Sequence, residues 1–129
     1  MPASPAEGGA AGAWLVPDDP AAAGEAVPGV WMSLPFSAMG TGRLGGGYLR
    51  FEVDADLGAW RLTYDELLHV TRGRMTVEQL DPPGEALIVE AGASILLAAG
   101  VTVRYRGIAG TYGLFVTTPR GAMPVAAQA

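Results

Sequence analysis

Trp60-Arg61-Leu62-Thr63-Tyr64-Asp65-Glu66, with Gly73 following after six further residues, is the stretch that decides how this chain folds. Large apolar or aromatic side chains occupy every second position from Trp60 to Tyr64, the period of an extended strand rather than of a helix. That alternation places Trp60, Leu62 and Tyr64 on one face. It places Glu66, Leu68 and Val70 on the same side of the next run, with Asp65 and His69 turned away. Gly73 supplies the tight turn that ends the run. Asp65 is expected to support the turn, and His69 to be a packed or interface histidine rather than a catalytic base.

The same pattern continues outward in both directions. Strands are expected over 30–36, 48–53, 75–80, 86–89, 94–97, 101–106 and 112–117. Turn residues separate them, among them Asp81-Pro82-Pro83-Gly84 and Ala91-Gly92. Pro35 marks the first of these strands as an edge or an end. The glycine-rich stretch 39–47 is expected as a flexible connection. Many short strands at this spacing mean an all-β sandwich or barrel. No stretch of helical length has a convincing 3.6-residue period. Residues 1–28, rich in Ala, Gly and Pro, are expected to be an N-terminal tail ordered only in part, with Ala13-Trp14-Leu15-Val16 able to dock on a sheet edge. Residues 29–120 form the single domain, and 121–129 a C-terminal tail.

Composition removes several function classes. The chain has 129 residues, enough for one domain. It lacks cysteine, so it has no disulfide framework, thiolate nucleophile or Cys-ligated metal. All eight basic residues are Arg, which excludes a Schiff-base lysine and a P-loop lysine. A net charge of −5 argues against nucleic acid as a partner. No apolar run is long enough to span a bilayer as a helix, and the start of the chain lacks the regions of a signal peptide. A cytoplasmic location is therefore expected. His69 is the single histidine, so a three-histidine metal site within one chain is impossible.

Glu66 and Gly73 keep the Glu-x6-Gly spacing of the first cupin motif, which normally begins His-x-His. The histidine positions fall on Trp60 and Leu62. In the second motif, Gly92 and Gly100 keep their spacing, while the family's Pro, His and Asn become Ala98, Val103 and Gly107. The chain thus resembles the cupins, which implies a single-domain jelly-roll barrel that dimerises through sheet packing. Three of the four usual metal-ligand positions hold side chains that bind no metal, and one carboxylate is not a metal site. No metal and no cofactor are therefore expected. Within the cupins, Trp60, Leu62, Tyr64, Asp65 and Glu66 reproduce the Trp-x-Leu-x-Tyr-Asp-Glu run of the ethanolamine-utilisation protein EutQ. Residues 113–119, Gly-Leu-Phe-Val-Thr-Thr-Pro, are similar to its last strand. This likeness covers about residues 46 to 119. It implies a metal-free cupin domain and an acetate-kinase-type activity in ethanolamine catabolism.

If Trp60 and Leu62 stand at ligand positions, the barrel holds an aromatic and aliphatic cavity with few polar groups. Glu66 and Tyr64 are the candidate catalytic residues. Tyr48, Arg50, Trp60, Leu62, Leu68, Val103 and Tyr105 are the candidate substrate-binding residues. Tyr48, Arg50 and Glu52 are expected inward, and Leu49, Phe51 and Val53 on a dimer face. A carboxylate among these walls is desolvated, which raises its pKa and suits acid–base work near neutrality. Equally, Glu66 could bond Tyr64 or backbone amides and hold the turn. Three functions follow: a metal-independent acid–base enzyme (isomerase, dehydratase, cyclase or lyase) in specialised metabolism, an EutQ-like phosphotransfer role, or a non-catalytic small-molecule-binding module.

Overall fold

A computed structural model describes residues 12–119 together with the backbone of the short pair 125–126. Eleven strands follow in order: β1 (Gly24–Val27), β2 (Val30–Ser33), β3 (Gly45–Phe51), β4 (Ala55–Arg61), β5 (Asp65–Arg72), β6 (Arg74–Asp81), β7 (Ala86–Glu90), β8 (Ser94–Leu97), β9 (Thr102–Gly107), β10 (Tyr112–Thr118) and β11 (Val125–Ala126). A single helical turn, α1 (Pro35–Ala38), lies between β2 and β3. The strands form two antiparallel sheets, ordered β1-β2-β3-β10-β5-β8 and β11-β4-β9-β6-β7. Phe51, Leu68, Val70 and Phe115 from the first sheet meet Met75, Val77, Val103 and Tyr105 from the second in one core. This is the all-β jelly-roll barrel expected of a cupin.

The alternation that opened the sequence reading persists in space. Leu62, Tyr64, Glu66, Leu68 and Val70 are all buried; Thr63 and Asp65 between them are exposed, and Leu67 and His69 are half-buried. The strand boundaries differ from expectation. β4 begins at Ala55 and ends at Arg61, so Leu62 and Tyr64 sit in the turn into β5. That turn is held by backbone bonds from Leu62 N to Val101 O and from Gly100 N to Leu62 O. Asp65 accepts from the Ala99 N–H at 2.9 Å, which ties the same turn to the β8–β9 connection.

Pro35 does more than end β2. Its fixed φ suits the first turn of a helix, so residues 35–38 coil instead of extending through Phe36 as expected. The glycine stretch also departs from expectation: Gly45, Gly46 and Gly47 are buried inside β3 rather than in a loose connection. A Cβ on Gly47 would run into the Ser33 carbonyl oxygen, so this position needs a glycine for backbone to pass backbone. β1 lies within the stretch expected as tail. From that tail, the Val16 carbonyl accepts the Tyr48 hydroxyl at 3.1 Å. The expected C-terminal tail lies outside the described residues, apart from the pairing of β11 with β4.

The orientation of β3 corrects the expected inward set. Leu49 and Phe51 are buried, and Tyr48 and Arg50 face outward. Register explains the choice. Phe51 pairs with Val30 and Leu49 with Met32, both inward on β2. The Phe51 ring lies over Gly107, where a Cβ would come within 2.7 Å of its carbons. Arg50 instead reaches Glu52 at 3.4 Å and stacks over Trp31.

Candidate active site

A cavity of about 260 Å³ opens between the two sheets. Its deep walls are hydrocarbon: Leu49 from β3, Leu68 from β5, Met75 from β6 and Phe115 from β10. Trp60 and Leu57 of β4 close one side, and Trp60 Nε1 is occupied by the Leu57 carbonyl at 2.8 Å. The more exposed lining residues, Ala26 and Leu34, mark the mouth, with Val27 beside them. The polar side chains gather around Glu66: Tyr105 bonds to it, Thr117 pairs with it across β5 and β10, and its charge acts on Tyr64.

Glu66 is the only carboxylate among the described residues of the lining, and it is 7% exposed. The Tyr105 hydroxyl donates to its Oε1 at 2.6 Å. β5 and β9 lie in different sheets, so this bond spans the barrel interior. Burial raises the Glu66 pKa to about 7, against the opposing effect of the Tyr105 bond. Burial first, and the Glu66 charge second, push both tyrosines well above the usual phenol range. They therefore stay protonated and act as donors. Tyr64 is 2% exposed, and no hydrogen bond among the described residues occupies its hydroxyl. The site thus offers a carboxyl group poised between its two states and a free phenolic donor beside it. That pairing can take up a proton and stabilise the oxygen on which charge develops.

The structure brings together Trp60, Tyr64, Glu66, Leu68 and Tyr105 from the expected site. Leu62 and Val103 do not reach the cavity. They are 1% and 0% exposed and are packed in the hydrophobic core. Tyr48 and Arg50 lie on the outer face of β3, for the register reasons given above. His69 also lies outward, its Nδ1 within 2.7 Å of Ser94 Oγ. Met32, Leu49, Met75, Phe115 and Thr117 were not foreseen in the wall. For Phe115 and Thr117 a signal existed: alternation along 112–117 sets them on one face, and Thr117 stands directly opposite Glu66.

The donor set does not fit the metal of metal-binding cupins. Where that pattern requires histidines this chain has Trp60, Leu62 and Val103. Among the described residues no three of His, Cys, Asp and Glu come together. Fold and site together define a cupin-fold barrel whose cavity carries a single carboxylate among the described residues. Among solved structures, it is similar to KdgF from Halomonas sp., at 16% identity and a TM-score of 0.65, over 76% of this chain and 86% of that one. It is similar also to a putative ethanolamine utilization protein EutQ from Salmonella typhimurium LT2, at 23% identity and a TM-score of 0.58, over 71% of each chain. The EutQ protein of Clostridium difficile matches at 24% identity and a TM-score of 0.57, over 72% of this chain and 64% of that one. No family model and no curated protein matches the sequence.

Proposed function

We propose that this chain is a metal-independent cupin that acts on a small organic molecule by acid–base chemistry, of the isomerase, dehydratase, cyclase or lyase type. The observation that carries the reading is Glu66: one buried carboxyl group, its pKa near 7, at the polar end of an otherwise apolar cavity. Its carboxylate takes a proton from carbon next to a polarised group. The electron pair left behind moves onto an oxygen that Tyr64 holds by a hydrogen bond. The proton then returns at another position or leaves with a departing group. Tyr105 orients the carboxylate, and Trp60 and Leu68 pack the substrate body. An EutQ-like phosphotransfer role draws no support from the cavity, because no arginine among the described residues lines it.

The chemistry can be tested without the natural substrate. Nitrobenzisoxazole is a neutral aromatic probe that opens when a base removes its ring C–H proton; its N–O bond breaks and a coloured cyanophenolate forms. The wild-type protein is expected to accelerate this opening over an equal concentration of acetate, with a rate that rises with pH through an inflection near 7. Glu66→Gln is expected to lower the rate by about a hundredfold or more. A wild-type rate no better than acetate, or full activity in Glu66→Gln, removes the assignment and leaves a binding module.

A further inference from the structure

The geometry points to a neutral, mostly hydrocarbon ligand with one oxygen acceptor at one end, of roughly ten to twelve heavy atoms by comparison with the ~150 Å³ apolar cavity that takes a benzene. This rests on the reading of the cavity as the substrate site and narrows it to a substrate class.

The size follows from the volume, which leaves room for a ring and a short chain. The polarity follows from where the polar groups are. Tyr105, Thr117 and Tyr64 cluster around Glu66, and most of the remaining wall is aliphatic or aromatic carbon. Tyr105 is committed to Glu66, so the free donor is the Tyr64 hydroxyl. A carbonyl or ether oxygen satisfies it, and a hydrocarbon body fills the rest.

The neutrality follows from the missing cation. Among the described residues, no arginine or histidine lines the cavity. Arg50 stacks on Trp31, Arg72 on Tyr112, and Arg74, Arg104 and Arg106 pair with acids on outer surfaces. A carboxylate or phosphate ligand would enter the polar end unpaired, beside Glu66, and lose its hydration without replacement. An ammonium ligand would find one carboxylate, already bonded by Tyr105. Such a pair must make good the desolvation of both charges in an apolar enclosure. A neutral oxygen meets neither penalty.

Three near-isosteric probes test this by calorimetric titration of the wild-type protein at about pH 8, where Glu66 is mostly ionised. They are benzylacetone, its carboxylate counterpart hydrocinnamate, and the primary amine that corresponds to the ketone. The ketone is expected to bind at least about tenfold more tightly than either ion. Tyr64→Phe is expected to weaken ketone binding several-fold while leaving the fold intact by circular dichroism. Met75→Trp, which fills the cavity floor, is expected to abolish ketone binding. Equal or tighter binding of the acid or the amine overturns the inference, as does failure of all three to bind. Ketone binding with no acceleration of nitrobenzisoxazole opening keeps the ligand class and removes the acid–base reading. Acceleration combined with preference for the acid does the reverse.

Discussion

β9 has two faces, and they treat charge in opposite ways. Val103 and Tyr105 point into the barrel; Arg104 and Arg106 alternate with them and point out. Inside, burial raises the Glu66 pKa although a neutral phenol bonds its carboxyl at 2.6 Å, and no cation among the described residues acts on it. Outside, Asp56 also loses some hydration to burial, which acts upward. That effect is outweighed by the Gly58 N–H, by the Arg106 bond at 3.2 Å and by the charge of Arg104 at 3.7 Å, so its pKa falls. Glu78 extends the outer ladder, 3.9 Å from Arg106. Two carboxylates, Glu66 facing the inner side of β9 from the other sheet and Asp56 beside its outer side on β4, are thus driven apart in acidity by what stands beside them. The inner one is left able to exchange a proton near neutrality; the outer one is fixed as an anion and does structural pairing.

The largest effect expected on the inner side comes from its packing. Phe51 is 1% exposed and fits over Gly107, so Phe51→Ala is expected to remove about 3–5 kcal/mol of stability in urea unfolding. A loss below about 1 kcal/mol would mean that β3 does not present this face to the core.

Next comes the proton on Glu66. Its folded pKa, about 7, stands above its ordinary 4.5, so the folded protein binds this proton more tightly than the unfolded chain does. Stability contributed by this group is therefore fully present below about pH 4.5. It is lost as pH rises through 7, with a total of order 3 kcal/mol. Glu66→Gln keeps an acceptor for Tyr105 and cannot ionise. The variant is expected to gain on the wild type steadily between pH 5 and 8 in thermal or urea unfolding. Parallel pH profiles for the two proteins would show that Glu66 is not desolvated.

Much of this arrangement is legible in the sequence, and the failures have a common cause. The inward set Tyr64, Glu66 and Leu68 follows from a period of two, because burial on one side forces the alternation. The orientation of 48–53 does not follow, because both alternate sets contain large apolar or aromatic groups. Tyr48 and Phe51 compete for the interior, and the winner is set by partners distant in sequence: Val30 and Gly107. The same holds for Leu62 and Val103. Their inward direction was correct, but depth along the barrel depends on strand stagger, which no single strand encodes. Gly45 to Gly47 read as flexible because glycine usually is; here the lack of a side chain lets three backbones pass closely.

The smallest expected effect tests the outer face. Asp56, Arg104 and Arg106 are each between about a third and a half exposed, and water screens their attraction. Asp56→Asn preserves the side-chain oxygen that accepts from Gly58 N at 2.8 Å and removes only the charge. The loss is expected to be below about 1 kcal/mol at low salt and smaller still in about 1 M salt. The inflection near 7 in nitrobenzisoxazole opening should stay where it is, since the whole sheet and the core lie between Asp56 and the cavity carboxyl. A larger loss, or a shift of that inflection by half a unit or more, would show that the two faces of β9 are electrostatically coupled. Glu66 would then owe its proton affinity to the arginines behind it as well as to the apolar wall around it.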